Sequence, residues 1–132
     1  MRDIKFRCVD HSTNTIAYQF TKYVVCEDGT EYQFIAFNFN GKIISLSYAL
    51  SHPDEYVVTQ FTGLLDKNGK EIYEGDIVKT DWYGEGTNPL KYLVTFIDMR
   101  AGYEPFANPK WAERGGSSIW EIIGNKYENP SL

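Results

Sequence analysis

Alternation of apolar and polar residues with a period of two runs through most of the chain and predicts β-strands. Near the N-terminus, Ile4, Phe6 and Cys8 alternate with Lys5 and Arg7. This pattern predicts a strand with one buried face and one hydrated face. Further strands are predicted for residues 16–20, 22–26, 32–37, 42–46, 56–62, 77–80, 91–97 and 118–123.

Turn signals separate the predicted strands. Asp28-Gly29, Asn40-Gly41 and Asn68-Gly69 are hairpin dipeptides, because glycine tolerates positive φ and Asp or Asn side chains bond to nearby backbone groups. Gly63 and Gly124 are predicted to end the strands that precede them. Helix is confined to a helical turn within residues 45–51, which lies just before a proline.

These elements predict a single, mainly β domain over residues 1–132, with little helix. Residues 1–55 are predicted to form a β-meander, and residues 56–132 a small SH3-like barrel on which the meander packs. The barrel is suggested by Glu74-Gly75-Asp76, since a Gly-Asp entry into a short β-branched strand is frequent at the tight corners of small barrels.

Composition supports a folded chain with an unusual share of aromatic residues. Of the 132 residues, 42% are hydrophobic and 16% aromatic, which is enough apolar surface to exclude disorder. The net charge of -5 argues against binding dominated by phosphate contacts. No apolar run approaches the roughly 20 residues of a membrane-spanning helix. The N-terminus also lacks the apolar core of a signal peptide, so we expect a cytoplasmic protein without membrane partners.

Few residues suggest catalysis or metal binding. Cys8 and Cys26 lie among apolar neighbours and are predicted to be buried free thiols. His11 and His52 have neither ligand-like nor nucleophile-base spacing to them, and are predicted to be surface residues. The three carboxylates of 71–76 could serve acid-base chemistry, but we favour a role in turns and corners. We therefore expect no enzyme activity, no cofactor and no metal.

The stretch 98–116 contains three breakers of regular structure and is predicted to be a long loop. Tyr92 and Phe96, just before it, are assigned to the core. Aromatic and basic residues in and around the loop form a candidate binding set: Tyr83, Lys91, Arg100, Tyr103, Phe106, Lys110, Trp111 and Arg114. Such a set either stacks nucleic-acid bases, or packs the loop down and meets another subunit. The acidic balance of the chain favours the protein interface.

Three blocks of sequence carry a resemblance to a known family. They are RDIKFR at 2–7, QFTGLLDKNGKEIYEGDIV at 60–78 and IGNKYENP at 123–130. In order, spacing and position they resemble the YopX family of small proteins encoded by bacteriophages, prophages and their hosts. Near Cys8 the chain departs from the family's usual small residue followed by an aromatic. The segments 9–57 and 82–118 carry no family signature, so we expect any specific partner surface there.

The resemblance implies a mainly β fold and oligomers, and it supplies no catalytic residues. We therefore expect a phage- or prophage-encoded, non-enzymatic protein that acts through homo-oligomerisation or through binding of a partner protein. The alternative is a nucleic-acid-binding accessory module that uses loop 98–116, since nucleic-acid binding has been suggested for the family.

Overall fold

The computed structural model describes residues 4–80, 90–97, 102–106 and 116–129. Antiparallel strands dominate these residues, and they contain one short α-helix, so the prediction of a mainly β protein is confirmed. The strands are β1 Phe6–Asp10, β2 Thr15–Val25, β3 Glu31–Phe39, β4 Lys42–Ser45, β5 Tyr56–Leu65, β6 Glu71–Tyr73, β7 Asp76–Thr80, β8 Leu90–Leu93, β9 Thr95–Ile97, β10 Gly102–Glu104 and β11 Glu121–Asn125. Helix α1 spans Leu46–Ser51, and a 3-10 turn spans Gly116–Ile119.

The chain divides into two compact units, an N-terminal unit of residues 5–59 and a C-terminal unit that holds residues 60–132. The division falls inside β5, four residues beyond the boundary predicted at residue 55. In the C-terminal unit the described strands form small antiparallel sheets and no closed barrel. The predicted SH3-like barrel is therefore not confirmed.

In the N-terminal unit, β4, β3, β2 and β1 lie side by side in that order, and the first part of β5 follows β1. Its apolar core is formed by Cys8, Ala17, Phe37, Ile44, Ala49 and Tyr56. Asn40 and Gly41 both have positive φ and form the turn between β3 and β4, as the dipeptide predicts. Helix α1 begins after Ser45, whose side chain accepts a hydrogen bond from the Tyr48 backbone N–H.

Strand β1 differs from its prediction, because both of its faces are covered. Cys8 and Val9 are adjacent, so their side chains lie on opposite faces, and both are fully buried. Arg7, which was predicted to be hydrated, is also buried, and its Nε donates to Thr59 Oγ1 at 3.3 Å. Ile4, which was predicted to be buried, is exposed.

In the C-terminal unit, the second part of β5 pairs with β6, β7 lies between β11 and β8, and β9 pairs with β10. Gly63 and Gly124 do not end their strands, contrary to the prediction. β5 continues past Gly63 to Leu65, with a shift of register between Phe61 and Leu65, and β11 continues past Gly124 to Asn125, with a shift between Ile122 and Gly124. Gly63 has φ +86, a conformation that glycine adopts without strain, so it accommodates an irregularity within a continuing strand.

Candidate protein-interaction surface

The predicted binding set around 98–116 is not assembled as a surface by the described residues. Tyr103 and Phe106 are only 5% and 6% exposed and belong to the apolar core of the C-terminal unit. That core also contains Ile72, Val78, Val94 and Trp120. Lys91 is exposed on β8. The remaining members of the set, Tyr83, Arg100, Lys110, Trp111 and Arg114, lie outside the described residues.

The burial of the aromatic residues before and within the predicted loop is the reverse of the prediction. Tyr92 and Phe96, which were assigned to the core, are 41% and 44% exposed. Tyr103 lies in β10, which pairs with β9, and its ring packs against Phe96 at a centroid distance of 5.3 Å. Part of the predicted loop is therefore strand β10, and Tyr103 on it is buried in the core of the C-terminal unit.

The N-terminal unit exposes apolar side chains in a different place, a two-stranded segment that we call the arm. The arm consists of residues 20–25 of β2, the turn 26–30 and residues 31–35 of β3. It arises because the strands of the sheet differ in length: β2 has 11 residues, whereas β1 has 5 and pairs only with Thr15–Tyr18 of β2. On the other side, β4 pairs with β3 only from Ala36 onward.

The arm carries three of the strongly exposed large apolar side chains. Tyr23 is 72% exposed, Val25 66% and Tyr32 52%. Neither apolar core of the described residues includes an arm residue. A two-stranded ribbon buries little of its own apolar surface and is only marginally stable in isolation. The arm is therefore the part of the N-terminal unit where contact with another chain would bury exposed apolar surface and stabilise a marginal ribbon most.

The register of the hairpin assigns the arm side chains to two faces. Tyr23 pairs with Gln33 and Val25 with Glu31, so these four side chains share one face. They line a depression of about 390 Å³, together with residues 24 and 32. On the opposite face, the Tyr32 and Phe34 rings stack with their centroids 6.2 Å apart.

The turn of the arm is held by its own hydrogen bonds. Cys26 N donates to Thr30 O at 2.8 Å, and Asp28 Oδ1 accepts from Thr30 N at 2.9 Å. The hydrogen bond from the Thr30 backbone lowers the pKa of the Asp28 carboxyl below its ordinary value. Gly29 has φ +86, as the Asp28-Gly29 turn requires. The turn thus stays defined although all its residues are exposed.

The two thiols differ, and the prediction that both are buried is wrong for one of them. Cys8 is fully buried, and burial, followed by the charge of Asp10, raises the pKa of its thiol to about 12. It is therefore an unreactive core residue. Cys26 is a free, exposed cysteine at the end of the arm.

Other polar clusters of the described residues have structural roles. His52 Nδ1 lies 2.8 Å from Tyr48 O and 2.9 Å from Ser51 Oγ, and its ring stacks on Tyr48 at 3.8 Å, so the histidine closes helix α1. A polar depression of about 290 Å³ lies beside Asp10, His11 and Lys42. Among the described residues, no group of three or more His, Cys, Asp and Glu side chains is arranged to hold a metal ion.

The second sequence block builds a network around Asp66 that reaches Ile122, the residue directly before the third block. This carboxylate is buried; its Oδ1 accepts from Asn68 N at 2.8 Å and Lys70 N at 2.9 Å, and its Oδ2 accepts from Ile122 N at 3.0 Å. Burial alone would raise the pKa of Asp66, but the three backbone donors and the charge of Lys70 outweigh it, so the pKa lies below its ordinary value.

The Glu74-Gly75-Asp76 corner joins the second and third sequence blocks. Gly75 O accepts from Lys126 N at 3.0 Å, and Gly75 N donates to Val94 O at 2.9 Å. The Tyr127 ring packs directly against the Gly75 Cα. Asp76 is buried, and its carboxylate accepts from Tyr73 N at 2.8 Å. Asp76 thus holds the backbone of the corner, which is the role that the sequence analysis favours for it.

Sequence reasoning missed the arm, although it contained a signal for it. In Tyr23-Val24-Val25 and in Phe34-Ile35, apolar residues are consecutive, so apolar side chains occur on both faces of each strand. The predicted break between residues 20 and 22 hid the length of β2 and with it the unsupported end of the hairpin. The arm does lie within the segment 9–57, which carries no family signature.

Among the described residues, no helix has the length and apolar character that would let it cross a membrane.

The fold is similar to that of the crystal structure of protein EF1440 from Enterococcus faecalis, with a TM-score of 0.61 and 22% sequence identity. The match covers 100% of this chain and 99% of that one, and at this identity it concerns the fold alone. None of the curated proteins matches the chain. The family model described as YopX protein matches residues 5–132, which confirms the resemblance: the chain belongs to the YopX family.

Proposed function

We propose that this chain is a phage- or prophage-encoded, non-enzymatic protein of the cytoplasm that acts by binding protein chains, with copies of itself as the first candidate. The arm is the contact surface. The observation that supports this proposal is the exposure of Tyr23, Val25 and Tyr32 on a ribbon that contributes to neither apolar core. Tyrosine is enriched at protein interfaces, because its ring supplies apolar area and its hydroxyl tolerates water.

The charges of the arm are compatible with a protein partner. Its two strands carry one basic and one acidic side chain, Lys22 and Glu31, which lie on opposite faces by the register of the hairpin. The remaining charges, Glu27 and Asp28, lie in the turn. The centre of the arm is therefore poor in charge, as the buried centre of a protein interface is.

The test is the mass of the full chain by size-exclusion chromatography with light scattering over a concentration series. We expect a mass above the 15.2 kDa of one chain. A triple variant, Tyr23→Ser, Val25→Ser and Tyr32→Ser, should shift the mass toward 15.2 kDa. A matched triple of exposed apolar residues outside the arm, Ile4→Ser, Leu50→Ser and Leu65→Ser, should not. A 15.2 kDa wild type at every concentration would contradict self-association.

Nucleic-acid binding through 98–116 is a second hypothesis with weaker support. Two of its predicted stacking residues, Tyr103 and Phe106, are buried, so they cannot present a ring face to a base. Among the described members of the set, Lys91 is exposed and could contact a nucleic acid, and the half-exposed Tyr92 follows it in sequence. Affinity for single-stranded DNA that falls steeply with salt would support this alternative, and absent binding would dismiss it.

A further inference from the structure

Among the described residues, one edge of the arm is open to pairing along β2. Strand β1 begins at Phe6, whose backbone N–H donates to the Gln19 side chain at 2.8 Å. Beyond this point, no described strand pairs with that edge of β2. The turn begins at Cys26, so the open edge comprises residues 21–25. An open edge of this kind is a template for another strand.

The hairpin register shows which backbone groups face outward. Cys26 and Thr30 form a hydrogen-bonded pair at the turn. Hydrogen-bonded and non-hydrogen-bonded pairs alternate along an antiparallel ladder. The pairs whose N–H and C=O groups point away from the partner strand are therefore Thr21 with Ile35, Tyr23 with Gln33 and Val25 with Glu31.

We propose that residues 21–25 of β2 pair antiparallel with the same residues of a second copy, with Tyr23 opposite the second copy's Tyr23. The inference rests on the proposed function and names the partner strand and its register. The pair of Tyr23 residues exchanges both backbone hydrogen bonds, since its N–H and C=O face the open edge. Thr21 then lies opposite Val25, and Lys22 opposite Val24.

The charge of Lys22 and the position of β1 favour this register over the one that is centred on Lys22. Centring the pair on Lys22 would place two lysines directly opposite each other, which is unfavourable. It would also bring Val25 opposite Gln19, a residue that β1 already occupies. Centring on Tyr23 uses the whole open stretch and keeps the two Lys22 side chains from facing each other. The segment is thus complementary to itself, which is what a two-fold interface requires.

The edge of β3 offers a poorer self-pairing. Its outward residues include Glu31 and Gln33, so a second copy would place polar side chains at the centre of one face. On β2 the two Tyr23 rings become neighbours, each 72% exposed in the single chain. A tyrosine buries about 150–250 Å², so this pair supplies about a quarter to a half of the roughly 1,000–1,200 Å² that a small specific interface needs.

A charge exchange at Tyr23 tests the register, because only a residue at the two-fold axis faces its own copy. Tyr23→Lys alone and Tyr23→Glu alone should each weaken dimerisation at least about tenfold, since like charges then lie opposite. An equimolar mixture of the two variants should recover the dimer. The matched control is Gln33→Lys with Gln33→Glu, on the edge of β3. Recovery at Gln33 and not at Tyr23 would overturn the proposal, as would single variants that dimerise like the wild type.

A disulfide tests the geometry directly. In a Cys26→Ser background, Tyr23→Cys places two thiols on Cα atoms about 5.5 Å apart, within the range a disulfide spans. Mild oxidation should give a covalent dimer, whereas Gln33→Cys in the same background should not. A wild-type oligomer without this cross-link would refute the register and leave the proposed self-association standing. A monomeric wild type would refute the proposed function itself.

Discussion

The arm and the surroundings of Asp66 both belong to antiparallel sheets, but the arm exposes several of its large apolar side chains, whereas those of the core beside Asp66 are buried. Asp66 accepts three backbone hydrogen bonds, one of them from Ile122 on the distant strand β11, whereas Asp28 accepts its hydrogen bond from within its own turn. Trp120 is fully buried and Tyr23 is 72% exposed. The difference shows that apolar side chains on a strand are buried only where a further element covers that strand. No described strand covers the arm in this way.

The largest contrast is expected between the two aromatic residues. Trp120→Ala should lower the free energy of unfolding by about 4 kcal/mol, because it leaves a large cavity in a close-packed core. Tyr23→Ala should change it by less than about 0.5 kcal/mol in the monomer. Urea denaturation of both variants measures the difference. Equal losses would show that the arm ring is packed, and would break the comparison.

Two glycines with positive φ provide the next contrast. A Cβ at Gly75 would lie 2.8 Å from Tyr127 Cε2, in a backbone with φ +95, so Gly75→Ala should cost about 3 kcal/mol. Gly29 in the arm turn has φ +86 but open space around it, so Gly29→Ala should cost about 1 kcal/mol. Thermal unfolding compares the two variants. A Gly29 loss as large as that of Gly75 would mean that the arm turn is packed against other atoms.

Replacing a carboxylate by an amide should affect stability differently in the Asp66 turn and in the arm turn. In Asp66→Asn, Oδ1 can keep its two bonds, but the new NH₂ group faces the Ile122 N–H, and we expect a loss of about 2 kcal/mol. Asp28→Asn, in the exposed turn, should leave stability unchanged within measurement error. Chemical denaturation at neutral pH checks both. An unchanged Asp66→Asn would show that the network does not stabilise the C-terminal unit.

The smallest effect concerns pH. Because the folded-state pKa of Asp66 is lowered below its ordinary value of 3.8, the carboxylate stabilises the fold above that pH. This contribution is lost as the pH falls below 3.8 through the folded-state pKa. The stability difference between wild type and Asp66→Asn should therefore be constant near neutrality and shrink in acid. A difference that grows on acidification would contradict the lowered pKa.

Local features of the fold could be predicted from the sequence, because their causes are local. Asn40-Gly41 and Asp28-Gly29 are turns in the structure, and the helical turn before Pro53 is α1. These outcomes depend on glycine's freedom at positive φ and on restrictions before proline, which act within a few residues. Gly63 shows the limit, since the same freedom at positive φ accommodates an irregularity inside a strand that continues.

The candidate site depended on longer-range contacts and was largely missed. Tyr103 and Phe106 follow no period and were predicted to need a partner, but packing around Trp120 buries them. Tyr92 alternates regularly and is nevertheless half-exposed. Alternation with a period of two indicates that a strand has two different faces. It does not indicate which face another part of the chain will cover.

By itself the sequence determined the strand content, the hairpin turns, the corner at Gly75 and membership of the YopX family, because these follow from backbone preferences and contiguous blocks. Only the tertiary structure decided that Arg7 is buried, that Cys26 is exposed and that no described strand pairs beside the end of a long hairpin. The physical reason is that burial depends on the lengths and registers of neighbouring strands. Those are settled by contacts between residues far apart in the chain, such as Asp66 with Ile122.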